Sequence, residues 1–194
     1  PAEAGDVRGT IGLPLEVMLE RLTGRCDPPA GRRFRELFVR RADAVILHHT
    51  HLVEGAREVI AELRAAGYRL GIVTTKYAYR ILQVLERDGL REAFEVVVGS
   101  DQVERPKPHP EPVRLALQRL GTGAGDALFV GDSLTDAEAA MRAGTPFVAV
   151  LTGVTPEAAF EAFPVLAVLE SVRRLPAWLV RTGEDGLRAT SGAG

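Results

Sequence analysis

Leu128-Phe129-Val130-Gly131-Asp132-Ser133-Leu134-Thr135-Asp136 is an apolar run that stops at a glycine and then presents two carboxylates four residues apart. It reads as strand, tight turn and helix start. In a parallel α/β sheet Asp132 then stands just beyond the carboxyl end of a strand, where ligands bind, with the amides of the next helix beside it. Acidic oxygens next to anion-attracting amides suit a divalent cation that bridges to a phosphate. Ser133 with Asp136 three residues on also fits a capping box, which would do no more than start the helix. Asp132 has no part in such a box.

Working outward, the same alternation recurs on both sides. Helix 55–66 ends at Gly67 and leads into strand 68–73; helix 77–88 ends at Gly89 and leads into strand 95–98; helix 111–120 precedes strand 127–130. Helix 134–143 ends at Gly144, strands 146–150 and 165–168 follow, and helix 171–180 closes the run. Strands alternating with helices predict a doubly wound parallel sheet over residues 51–180. Upstream the pattern is helical only. Leu13, Leu15, Val17, Met18, Leu19 and Leu22 recur at helical spacing, Asp27-Pro28-Pro29-Ala30-Gly31 reads as a turn, and Phe34, Leu37, Phe38, Ala42, Val45 and Ile46 line a second helix from Arg32 to about Leu47. A small helical unit over 11–50 is expected, with residues 1–10 and 181–194 as polar, Gly-rich tails, the second of them disordered. His48, His49 and His51 fall at the hinge between the two parts. A metal held by these histidines is disfavoured, because no acidic or cysteine partner lies nearby in sequence.

Composition sets outer limits. The 194 residues carry a net charge of -2, with 46% hydrophobic and 26% charged residues. That is ordinary for a globular protein and gives no electrostatic case for nucleic acid or an anionic membrane surface. Cys26 stands alone, which excludes an internal disulfide and fits a reducing compartment. With no apolar run of membrane-spanning length and no leader pattern, a cytoplasmic monomer or homodimer is expected. Of the 24 basic residues 22 are arginine, so Lys76 and Lys107 stand out. A compact ammonium on a movable stem suits a crowded phosphate and carboxylate site better than a planar fork does.

Three strand ends then open on one edge of the expected sheet. Strand 68–73 ends in Thr74-Thr75-Lys76, strand 95–98 is followed by Arg105-Pro106-Lys107-Pro108-His109-Pro110, and strand 127–130 ends at Asp132. Thr74 and Thr75 offer hydroxyls and amides to phosphate oxygens, Lys107 between two prolines offers a neutralising charge, and Asp132 offers a carboxylate to Mg²⁺. Each piece alone has a plainer use, as a helix cap or an exposed loop. Their order at three strand ends favours the phosphate site.

These residues resemble the haloacid dehalogenase (HAD) superfamily of phosphatases. Leu-Gly-Ile-Val-Thr74-Thr75-Lys76 is similar to its second motif, Arg-Pro-Lys107-Pro-His-Pro to its third and Gly-Asp132-Ser-Leu-Thr-Asp136 to its fourth. Gly12-Leu-Pro-Leu and the helix pair up to residue 50 look like the α-helical cap of phosphoglycolate phosphatase and β-phosphoglucomutase relatives. The resemblance implies a Rossmann-like core and Mg²⁺-dependent transfer of a phosphoryl group from a small phosphorylated metabolite through an aspartyl-phosphate. By it Thr74 binds phosphate, Lys107 stabilises the charge on nucleophile and phosphate, and Asp132 and Asp136 support the metal. One element departs from the pattern. The family's first motif, an apolar strand ending in Asp-x-Asp-Gly-Thr, is absent, and no two aspartates of this sequence stand in an Asp-x-Asp pair. The expectation is therefore a sheet lacking its central strand, with a groove between strands 68–73 and 127–130 and no covalent nucleophile in this chain.

Overall fold

The computed structural model describes residue 10 and residues 15–24 and 27–185. Cys26, most of the expected first tail and residues 186–194 of the second lie outside these. Contacts divide the chain between Thr50 and His51.

Before that division stand α1 (Leu15–Thr23) and α2 (Pro28–His49), which pack on one another. Leu19 and Ile46 are their buried apolar residues. The helix α2 starts earlier than its periodicity suggests. Asp27-Pro28-Pro29, expected as a turn, is its N-cap and first two positions: the Asp27 carboxylate accepts from Ala30 N–H at 2.8 Å, and proline costs nothing where helical N–H groups lack partners anyway. It also ends later. His48 and His49 form its last turn rather than a hinge, and Thr50 caps it by donating to Ile46 O.

After the division the chain alternates as expected, through α3 (Ala56–Ala65), β1 (Gly71–Val73), α4 (Ala78–Arg87), β2 (Val96–Val98), α5 (Glu111–Leu120), β3 (Phe129–Gly131), α6 (Leu134–Ala143), β4 (Phe147–Val150), β5 (Val165–Leu169) and α7 (Leu175–Asp185). The strands are shorter than their apolar runs because only part of each run is paired. Helix α7 reaches five residues past the expected end at 180. There Thr182 Oγ1 donates back to Trp178 O at 2.9 Å, and Leu179 and Trp178 pack on β4, so the helix keeps an apolar anchor up to the start of the supposed tail.

Every strand pairing is parallel, but the sheet is parted. β1 pairs with β2 in the register Gly71↔Val96, and β3, β4 and β5 form a second sheet, with Phe129↔Phe147 between the first two. Among the described residues nothing pairs with the other edges of β1 and β3. The helices nevertheless treat the two pieces as one. Val113 and Leu117 of α5, with Ala139 of α6, pack against both Val73 of β1 and Phe129 of β3. Helix α3 does the same elsewhere, with Ile60 joining the cluster around Val97 and Ile72 and Leu63 joining the cluster around Val148 and Val130. Helices that bridge two sheets in this way define a single layered sheet with an open seam between β1 and β3.

The seam edges are polar. Thr74 N–H donates to Val98 O and Glu95 N–H to Leu70 O, so the even-numbered residues of β1 face β2. In a parallel ladder the N–H and C=O of Gly71 and Val73 then point into the seam. Phe129 N–H donates to Pro146 O, which by the same alternation turns Val130 toward the seam.

Candidate active site at the carboxyl ends of β1 and β3

Lys107 is the centre of the arrangement. It is buried, held between Pro106 and Pro108 with a cis peptide bond to the latter, and its Nζ donates to Val73 O at 3.2 Å and to Asp136 Oδ1 in a short ion pair. The ammonium also lies 5.7 Å from the centre of the Phe129 ring. One lysine thus spans the seam, from the end of β1 to the start of α6. Two of its three N–H donors have partners among the described residues, which leaves one for a ligand.

The loop that carries Lys107 is braced at its far end by a residue that sequence reasoning did not single out. Glu111, at the start of α5, accepts from Glu104 N–H at 2.8 Å and from Arg105 N–H at 3.3 Å. The Glu104 N–H bond leads in holding its carboxyl below the ordinary glutamate range. His109 Nδ1 in turn accepts from Glu111 N–H. A glutamate beside Pro-x-x-Glu would be taken as a surface residue of a helix, and only the turn's geometry reveals its use.

Asp136 is placed differently from the metal ligand expected of it. Its Oδ1 is taken by Lys107, and its Oδ2 accepts from Ser133 Oγ at 2.6 Å and Ser133 N–H at 3.2 Å. The capping box is therefore real, and its acid is also the counter-ion of a buried lysine. Gly131 makes this possible: a Cβ there would stand 2.7 Å from Asp136 Oδ2.

Asp132 is free of these ties. It is open to solvent on one side, yet partial burial, followed by the charge of Asp136, raises its pKa above the ordinary aspartate value despite Lys107 and Lys76 nearby. Its other side is roofed by the turn after β4, where a Cβ on Gly153 would fall 2.5 Å from Asp132 Oδ2. A carboxylate held near another carboxylate, with spare lone pairs, has the chemistry of a cation ligand. Magnesium takes one or two carboxylates, waters and substrate phosphate, so Asp132 fits as one ligand. The described residues hold no group of three or more His, Cys, Asp or Glu side chains that would complete a protein cage, at His48, His49 and His51 or elsewhere.

Thr74 and Thr75 lie half-buried at the end of β1, with Lys76 exposed beyond them. Thr74 Oγ1 accepts from Lys76 N–H at 3.1 Å and so shapes the turn, while its own proton is left to donate. The threonines do not cap α4, which starts at Ala78. Four of the five expected residues thus flank one seam from three loops, and the fifth, Asp136, supports Lys107 from within.

A family model for haloacid dehalogenase-like hydrolases matches residues 1–150. The chain belongs to that family. A pyrophosphatase PpaX from Bacillus velezensis is 38% identical over 141 residues, 72% of this chain and 63% of the relative. A phosphoglycolate phosphatase from Salmonella paratyphi A is 39% identical over 122 residues, 63% of this chain and 48% of the relative. The chain therefore matches about half to three-fifths of the length of these HAD relatives. Among solved structures, one from Bacteroides fragilis described as haloacid dehalogenase-like superposes with a TM-score of 0.86 at 32% identity, covering 88% of this chain and 81% of that one. The α/β class and its parallel pairing are those of the family. No helix among the described residues is long and apolar enough to cross a membrane.

Proposed function

We propose that this chain carries the phosphate-handling half of a cytoplasmic phosphomonoesterase whose substrate is a small phosphorylated metabolite of the phosphoglycolate kind. The observation that carries the reading is Lys107, a buried ammonium fixed across the seam by Val73 O and Asp136, with Thr74 on one side and Asp132 on the other. Thr74 and Thr75 donate to phosphate oxygens. Lys107, itself buried, neutralises charge that builds as the phosphoryl group moves. Asp136 keeps the lysine aimed, through its ion pair with Nζ. Asp132 would hold Mg²⁺, which supplies positive charge to the phosphate oxygens when bound. The helices before Thr50 are read as the α-helical cap unit of such an enzyme.

The covalent step needs a carboxylate nucleophile, and this sequence has no Asp-x-Asp. The seam between β1 and β3 is where a strand bearing one would lie, its carboxyl end beside Thr74 and Asp132. This chain alone is then a Mg²⁺ and phosphate binder without turnover. The test is Mg²⁺-dependent hydrolysis of 2-phosphoglycolate and of pyrophosphate, the substrate named for the PpaX relative, by this chain and by the same chain preceded by an apolar strand ending in Asp-x-Asp. Turnover only with the added strand, lost on Lys107→Met, is the expected result. Turnover by the chain as it stands would mean that another group attacks, and pyrophosphate outpacing phosphoglycolate would move the substrate to the pyrophosphatase side.

A further inference from the structure

Helix α4 begins without a cap of its own. Tyr77 occupies the N-cap position and has no side-chain oxygen in reach of the first turn, so the leading N–H groups must find acceptors elsewhere. Asp101, 23 residues further along the chain, supplies one: its Oδ1 accepts from Ala78 N–H at 2.7 Å. Two more bonds join the same two loops, Thr74 N–H to Val98 O at 2.9 Å and Ser100 N–H to Lys76 O at 3.1 Å. The approach is close enough to require glycine between them, since a Cβ on Gly99 would lie 2.2 Å from Ala78 N. The turn from Thr74 to Ala78 is thus laid against residues 98–101 and pinned at both ends.

A serine or aspartate at position 77 would cap the helix equally well. A cap delivered from the loop after β2 does more, because it also fixes where the helix starts relative to that strand. Six residues after Asp101 the same loop delivers Lys107. We infer that Asp101 is a positioning residue, which holds the Thr74-Thr75-Lys76 turn in the form that receives phosphate and keeps it in step with the lysine loop. The inference rests on reading that turn as the phosphate site.

Two readouts on the whole chain separate the two ideas: titration with inorganic phosphate, followed through the amide resonances of residues 74–78, and hydrogen exchange of those amides against Val148 in β4. Asp101→Ala is expected to weaken phosphate binding about five- to tenfold, the size of a lost cap. The Lys76 and Ala78 amides should exchange at least about tenfold faster while Val148 is unchanged. Asp101→Asn, whose amide oxygen still accepts from Ala78 N–H, should restore both. If Asp101→Ala loosens the turn but binds phosphate as tightly as the unaltered chain, Asp101 is a cap and nothing more, and the inference falls. Unchanged exchange at Ala78 overturns it as well. No phosphate shifts in the unaltered chain would instead sink the phosphate reading of the turn, with the exchange arm still deciding whether Asp101 holds it.

Discussion

β2 and β4 differ from β1 and β3 in a way that runs against the usual order of an α/β sheet. Every residue of β2 and β4 is buried, whereas no residue of β1 or β3 is. Strands in the middle of a parallel sheet are expected to be the best covered, since helices lie on both faces. Here the strands nearest the middle are the less buried, and they are the ones whose ends carry Thr74 and Asp132. The contrast teaches where the fold gets its support. β2 and β4 are held by burial, β4 also by pairing on both of its edges, while β1 and β3 are paired on one edge only without that burial and are kept in place by α3, α5 and α6 reaching across the seam.

The sharpest way to break this picture is through Lys107, whose side chain bonds to both sides of the seam. Asp136→Ala would leave the Lys107 ammonium buried without its counter-ion and would also remove half of a capping box, so a loss of about 3–5 kcal/mol in unfolding free energy is expected by denaturant titration. A loss under about 1 kcal/mol would mean the pair is solvated and the seam is not held there. Hydrogen exchange tests the pairing itself. The Val73 and Val130 amides, which face the seam, should exchange about a hundredfold faster than those of Thr74 and Phe129, which donate to Val98 O and Pro146 O. Equal protection would show that a strand already fills the gap. Core truncation sharpens the comparison further. Val148→Ala in β4 should cost about 2 kcal/mol and Val130→Ala in β3 less than about 1 kcal/mol; comparable losses would erase the distinction between the two kinds of strand.

The parts of the fold that were legible in the sequence are those set by local periodicity. Alternating apolar runs and glycine stops gave the order of helices and strands, and the helices Glu111–Leu120 and Leu134–Ala143 stand where their spacing puts them. The parting of the sheet was legible too, through the absence of Asp-x-Asp. What escaped notice is made by short polar side chains acting over long stretches of chain. Asp101 on Ala78 N–H and Glu111 on Glu104 N–H have no period and no neighbouring signal, because an acid in a loop looks the same whether it is solvated or caps a distant amide. Asp136 shows the same limit from another side. Its spacing from Ser133 announced the capping box, but spacing says nothing of Lys107, the ammonium that pairs with the same carboxylate.

Asp132 gives the smallest expected effect and the most informative sign. Burial and then the neighbouring Asp136 raise its pKa in the folded chain. For an acid raised on folding, the proton is bound more tightly in the native state, so the stability this group contributes is present in full below its unfolded value and is lost as pH rises through its folded one. At neutral pH the ionised side chain therefore opposes folding slightly, and Asp132→Asn, which mimics the neutral form, should raise the melting temperature by about 1 °C at pH 7, with the difference vanishing in acid. The gain is small because the side chain is still partly solvated. The same substitution should abolish any Mg²⁺-dependent tightening of phosphate binding. A variant that is more stable and binds worse marks a charge kept for chemistry rather than for the fold. If Asp132→Asn instead lowers the melting temperature at pH 7, the carboxylate serves the turn after β3, and the case for a cation at that strand end fails with it.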